Sequence, residues 1–213
     1  MKDLRLSRRE VLKGAGAVGV LGALGIPTTV FADSGDGGDD GDGRIRWDLI
    51  SLVFPDINAG GSDIAAATAD VHNPQTAYTS GSTLTLTGSG TFRPGQSRQV
   101  TGGGTWTTNN PVAPGSGKYR VTELVSWIQA PGTLAGNKLL VDHIGNLADT
   151  RAGLAVLRIK YSDRLDGILF LSCNLGSPAS VVEGINASRG FVNFFAVKTG
   201  STLFHVLGDG EEG

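Results

Sequence analysis

From Arg44 onward the chain alternates with a period of two, and no stretch carries the 3.6-residue period of an amphipathic helix. Thr83, Thr85 and Thr87 alternate with Leu84, Leu86 and Gly88, while Tyr119, Val121, Glu123, Val125 and Trp127 share one face of a longer run. β-Branched and aromatic residues at alternate positions fit a pleated, half-buried surface. Further runs of this kind occupy 47–54, 64–70, 99–107, 139–143, 153–161, 167–175, 181–187, 190–197 and 202–207. Pro and Gly clusters such as Arg93-Pro94-Gly95 and Ala130-Pro131-Gly132 separate them. The pattern predicts an all-β fold, a single antiparallel β-barrel or β-sandwich of about ten short strands. Segment 161–167, which ends in Asp166-Gly167, reads as a hairpin connection, because Asp-Gly tolerates the positive φ of a tight turn.

One internal echo sharpens the picture. Thr87-Gly88-Ser89-Gly90-Thr91-Phe92 returns as Thr101-Gly102-Gly103-Gly104-Thr105-Trp106, and the two segments are expected to pair as a hairpin. Glycines at alternate positions then lie on one face, where the missing side chains let a wall coil sharply, let an aromatic ring pack on the backbone, or leave room for a ligand. They form no dinucleotide fingerprint, since no helix follows to present its N-terminus to phosphate.

Charge separates the chain into three parts. Residues 1–32 carry five Lys or Arg and two acids, residues 33–43 carry five Asp and no base, and residues 44–213 carry 13 of each sign. The balanced body offers no basic face, so nucleic acid is not expected as a partner. Within 1–32, Ser7-Arg8-Arg9-Glu10-Val11-Leu12-Lys13 precedes a weakly apolar Gly/Ala-rich stretch, Pro27 and Val30-Phe31-Ala32. This resembles a twin-arginine signal peptide, with Val11 where that family often has Phe. The resemblance implies cleavage after Ala32 and export of a folded chain to a periplasmic, extracellular or cell-surface location, with no membrane anchor after cleavage. The apolar run is short of the ~20 residues that span a bilayer. Residues 33–43, made only of Asp, Gly and Ser, read as a flexible acidic linker. Their spacing matches neither an EF-hand loop nor a Gly-rich calcium repeat. The expected organisation is therefore signal peptide 1–32, linker 33–43 and all-β domain 44–213.

Segments from about Leu84 onward, including Gly88-Ser89-Gly90-Thr91-Phe92, Gly102-Gly103-Gly104-Thr105-Trp106 and 151–158, also resemble an uncharacterised group of exported bacterial all-β proteins. That resemblance implies exported β architecture and lends no activity.

Charged or polar residues at apolar strand positions are the candidates for chemistry, because a buried charge is costly unless paired. Glu123 falls with Val121 and Val125, Glu183 with Val181 and Ile185, His205 with Leu203 and Leu207, and Arg158 with Leu154 and Val156. If these faces lined one interior, Glu123, Arg158, Glu183 and His205 would converge as a ligand-binding or acid/base site. The alternative places each on a solvent face or in a structural ion pair such as Glu123 with Arg158.

His72 and His143 each stand near an Asp but lack the spaced pairs of a zinc motif, so neither a metal nor a cofactor is assigned. No Gly-x-Ser-x-Gly elbow exists. The lone Cys173 alternates with Leu169, Leu171 and Leu175, as a buried small hydrophobe would. Trp47, Trp106, Trp127, Tyr78, Tyr119 and Tyr161 suit either a core or a sugar-binding platform. The leading expectation is an exported soluble β-domain that binds a small molecule or glycan without catalysis. A barrel enzyme with interior acid/base residues and a structural envelope protein are the alternatives, and the oligomeric state stays open.

Overall fold

The structure is a computed structural model of the chain and describes residues 43–67, 81–110, 114–178, 180–196 and 198–208. The signal-peptide segment, almost all of the acidic linker, His72 and Tyr78 lie outside the described residues. Fifteen strands follow one another: β1 (Ile45–Val53), β2 (Asp56–Ala59), β3 (Ser62–Ala66), β4 (Thr83–Thr87), β5 (Ser89–Arg93), β6 (Gln96–Val100), β7 (Gly103–Thr108), β8 (Gly115–Ala130), β9 (Val141–Asp142), β10 (Thr150–Tyr161), β11 (Asp166–Cys173), β12 (Gly184–Arg189), β13 (Val192–Phe194), β14 (Lys198–Thr199) and β15 (Ser201–Val206). Among the described residues the only helical piece is a 3-10 turn, Leu147–Asp149, capped by the Asn146 side chain.

Six strands close an antiparallel barrel in the order β10-β15-β1-β5-β7-β8 and back to β10. Strand β10 makes the closure possible by changing partner along its length: Thr150 and Arg151 pair with β15, whereas 153–160 pair with β11. The remaining strands continue outside the ring, β11-β12-β13 on one side and β7-β4-β3-β14 on the other.

The repeated Gly-Thr segments do pair, and in a single register: Leu84 faces Thr108, Leu86 faces Trp106, Ser89 faces Gly103 and Phe92 faces Val100. The flanking threonines meet across the pair, Thr87 Oγ1 at 2.7 Å from Thr105 Oγ1 and Thr91 Oγ1 at 2.9 Å from Thr101 Oγ1. A Cβ on Gly104 would collide with the Thr87 carbonyl oxygen, and one on Gly88 with the Tyr119 hydroxyl and the Gly103 carbonyl oxygen. The Tyr119 hydroxyl donates to the Thr87 carbonyl oxygen at 2.9 Å. Gly88 and Gly104 thus serve close backbone approach and aromatic packing.

Aromatic rings fill the core. Phe92, Trp127 and Phe204 pack mutually, with centroids 4.8 to 6.2 Å apart, beside the fully buried Trp47. Tyr161 lies 5.6 Å from Trp106 and 6.3 Å from Tyr119, and its hydroxyl donates to the Ser188 carbonyl oxygen. The Arg189 guanidinium stacks 4.2 Å over Trp106 and pairs with Asp163. An eight-stranded barrel is only just wide enough for side chains to fill, and these rings occupy the interior of this six-stranded one among the described residues.

The β10–β11 connection lies where the sequence places it, with one difference. Arg164, rather than Gly167, takes the positive φ, at 74°. Gly167 sits inside β11, where a side chain would strike the Ser188 carbonyl oxygen of the neighbouring strand.

Candidate functional site

The four residues singled out by strand parity do not converge. Glu123 and Arg158 face each other across β8 and β10, and their ion pair of 3.0 Å stands on the outer face with both side chains largely exposed. Glu183 precedes β12 and accepts the backbone amides of Asn174 and Thr202, both at 2.7 Å. His205 is buried on β15, on the face opposite to that of Thr202 and Phe204. The acid/base arrangement expected inside the barrel is replaced by packed aromatics, and the chemistry-bearing groups lie outside the ring.

The outer face of β1 and β15 forms the richest of these sites. Arg46 and His205 are register partners, so their side chains project together, and Asp48 lies two residues along the same face. In most barrels this face meets water. Here residues 131–149 fold over it, with Leu134, Leu140, Ile144 and Leu147 packed against the core. The covering segment is anchored by backbone bonds from Val141 to Pro55 and from His143 to Ile57, and by the Thr150 hydroxyl, which accepts from Leu134 and donates to Leu147.

Covering the strand face forces its charges to pair. Asp48, fully buried, accepts Arg46 Nε at 2.8 Å and a terminal guanidinium nitrogen at 3.0 Å. That bidentate hydrogen bond, opposed by burial and aided by the charges of Asp48 and Asp142, holds the Arg46 pKa above its ordinary value. Asp142 accepts from His205 Nε2 through Oδ2 at 2.7 Å and from the Ile144 amide through Oδ1 at 2.9 Å. One carboxylate therefore shapes the turn and fastens it to the barrel. His205 Nδ1 is buried with no hydrogen-bond partner among the described residues, and Gly145 lies so close to the imidazole that a Cβ there would come within 2.9 Å of it. Beside this clasp opens a polar cleft of about 480 Å³, lined by Arg46, Gly145, Asn146, Asp149, His205 and Val206 among others.

No protein family, curated protein or solved structure matches this chain.

A second buried cluster joins three parts of the chain. Asp63 of β3 is fully buried, and its Oδ1 accepts the Ser201 amide at 2.9 Å, one residue from the Thr202 amide held by Glu183. Asp63 Oδ2 and the Thr202 hydroxyl are both buried without a hydrogen-bond partner among the described residues. Burial, with the charge of Glu183 adding to it against the pull of the Ser201 amide, pushes the Asp63 pKa up to about 7. Cys173 is fully buried, and burial, with the charge of Glu183 adding, pushes its thiol pKa up. It is a packing residue, as its alternation with Leu169 and Leu171 implies.

His143 pairs with Asp56 at 2.7 Å on the surface, apart from Asp142. Among the described residues no three His, Cys, Asp or Glu side chains gather where a cation would need them.

Proposed function

We propose that the chain is an exported, soluble β-barrel protein that binds a small polar molecule or short glycan in the cleft beneath residues 142–149, without transforming it. The observation that carries the reading is the cleft of about 480 Å³, whose floor holds a half-buried guanidinium and a buried imidazole already fixed by their own carboxylates. Preorganised polar groups in a concavity of this size are what small-ligand sites use for orientation and specificity. Binding is favoured over catalysis because His205 Nε2 is engaged by Asp142 and Nδ1 is buried, so the imidazole fastens the covering segment instead of presenting a base.

The test is amide NMR of residues 33–213 titrated with a panel of mono- and disaccharides and small hydroxy acids. Saturable shifts centred on Gly145, Asn146 and Val206, weakened in Asp149→Asn, support the reading; a panel that moves none of these amides refutes it. Export rests on the Arg8-Arg9 motif and is tested on secreted or periplasmic material. An N-terminus at Asp33, and retention of an Arg8→Lys, Arg9→Lys variant in the cytoplasm, are expected; uncleaved chain in the exported fraction refutes it.

A further inference from the structure

The outer faces of β8, β10, β11 and β12 carry a second concavity of about 480 Å³, which shares no lining residue with the polar cleft. Its floor is a row of register partners: Ile128 on β8 faces Leu154 on β10, which faces Ser172 on β11. One wall is Val181 and Val182, ahead of β12; the other is Phe195, whose ring packs edge-on against Phe170 at 5.5 Å. Ile128, Val182 and Phe195 are among the most exposed large apolar side chains, at 61%, 55% and 43%. Among the described residues no charged side chain lines this groove.

The groove's polar side chains among the described residues are Ser172, Ser180 and Asn186. Ser172 is only 4% exposed, lines the groove, and its hydroxyl has no hydrogen-bond partner among the described residues. What little of this side chain is exposed opens to the groove, so a ligand that supplies one hydrogen bond there would take the place of water. Asn186, facing Phe170 in the next register pair, sends its Nδ2 toward the Phe194 carbonyl oxygen at 3.4 Å, which leaves its own side-chain oxygen without a partner among the described residues.

We infer that this groove is a binding site for an uncharged, apolar small molecule that carries one hydroxyl or carbonyl group, seated with that group on Ser172. The walls supply apolar burial, the uncharged lining disfavours an ionised ligand whose desolvation nothing would offset, and Ser172 fixes the orientation. This site is independent of the polar cleft.

The experiment displaces the neutral fluorophore N-phenyl-1-naphthylamine from the mature protein with 1-decanol or, at pH 8, with sodium decanoate. One saturable site is expected, with 1-decanol at least about tenfold more effective than decanoate, because the carboxylate must shed its water. Ser172→Ala should weaken 1-decanol by about fivefold, the worth of one hydrogen bond, while leaving the near-ultraviolet circular dichroism unchanged. Ile128→Trp, at an exposed position, should fill the groove and abolish fluorophore binding; Asp149→Asn in the polar cleft should leave it intact. Absence of saturable binding, equal potency of alcohol and carboxylate, or indifference to both Ser172→Ala and Ile128→Trp would overturn the inference, whatever the polar cleft does.

Discussion

Replacing Asp63 by Asn isolates the cost of ionising one buried carboxyl. In the unfolded chain the carboxyl titrates near its ordinary value of 3.8, but in the folded protein near 7. Between these two values the folded state holds a proton that the unfolded state has released, so stability falls as pH rises through that window and levels off above about 7. The window spans about three pH units at about 1.4 kcal/mol each, which makes the full cost of ionising Asp63 about 4 kcal/mol at pH 8. The amide side chain of Asp63→Asn would keep an oxygen for the Ser201 amide and has no charge to bury. The stability of this variant relative to the wild type should therefore be nearly equal at pH 4 and rise to about 4 kcal/mol in the variant's favour at pH 8.

Urea unfolding of both proteins at pH 4, 5, 6, 7 and 8 measures this, since titrating groups not coupled to Asp63 cancel in the difference and Glu183 is the coupled group that remains. A difference that stays flat across the series would show that the carboxyl ionises in the fold at no cost, and the reading of a neutral Asp63 beside Glu183 would fail. A variant destabilised equally at all pH values would instead assign the carboxyl a purely hydrogen-bonding role.

Three further perturbations test other parts of the architecture. Gly104→Val drives a side chain into the Thr87 carbonyl and should cost about 3 kcal/mol or more by urea unfolding; Gly95→Ala, with open space around it but φ at 74°, should cost only about 1 kcal/mol. His205→Ala leaves the Asp142 carboxylate, 2% exposed, without its partner. A loss of about 3 kcal/mol is expected, with limited proteolysis appearing first within residues 132–149; unchanged protease resistance would contradict the clasp. A double-mutant cycle on Glu123 and Arg158, exposed on the barrel wall, should return a coupling below about 1 kcal/mol; a larger value would place the pair in a less solvated setting.

Strand positions were legible because alternation is a local property, and the Gly-Thr echo marked two segments that pair, though not their register. Other parts were not local. Parity put His205 with Leu203 and Leu207, and all three are buried; but parity says which residues share a face, not what covers it. Both faces of β15 are covered, one by the barrel core and one by residues 131–149, so an inward-pointing histidine and one under an outer flap look alike in sequence. The partner that decides the matter, Asp142, is 63 residues away in a segment of weak pattern. Arg46 and Asp48 alternate with Ile45, Trp47 and Leu49, the signature of a wetted strand face, and only the covering segment turns them into a buried pair. Asp63 carried a readable hint, for it shares parity with Ala65, and both are fully buried.

The number of strands in the ring decides where this protein can carry chemistry. With six strands and Trp47, Phe92 and Phe204 buried inside, the barrel interior is filled by side chains among the described residues, and the concavities described above lie on outer faces. An outer face becomes a concavity when something is laid across or beside it, and two faces among the described residues show this in different ways. Over β1 and β15 the cover is a long segment whose charges had to be paired before they could be buried, which leaves a polar, prearranged cleft. Over β10 and β11 the walls are short apolar pieces beside β12 and β13, which leave an uncharged groove with the Ser172 hydroxyl at its floor. The same barrel thus presents two concavities of similar volume and opposite character, and the difference between them lies in the segments joined to the strands rather than in the strands themselves.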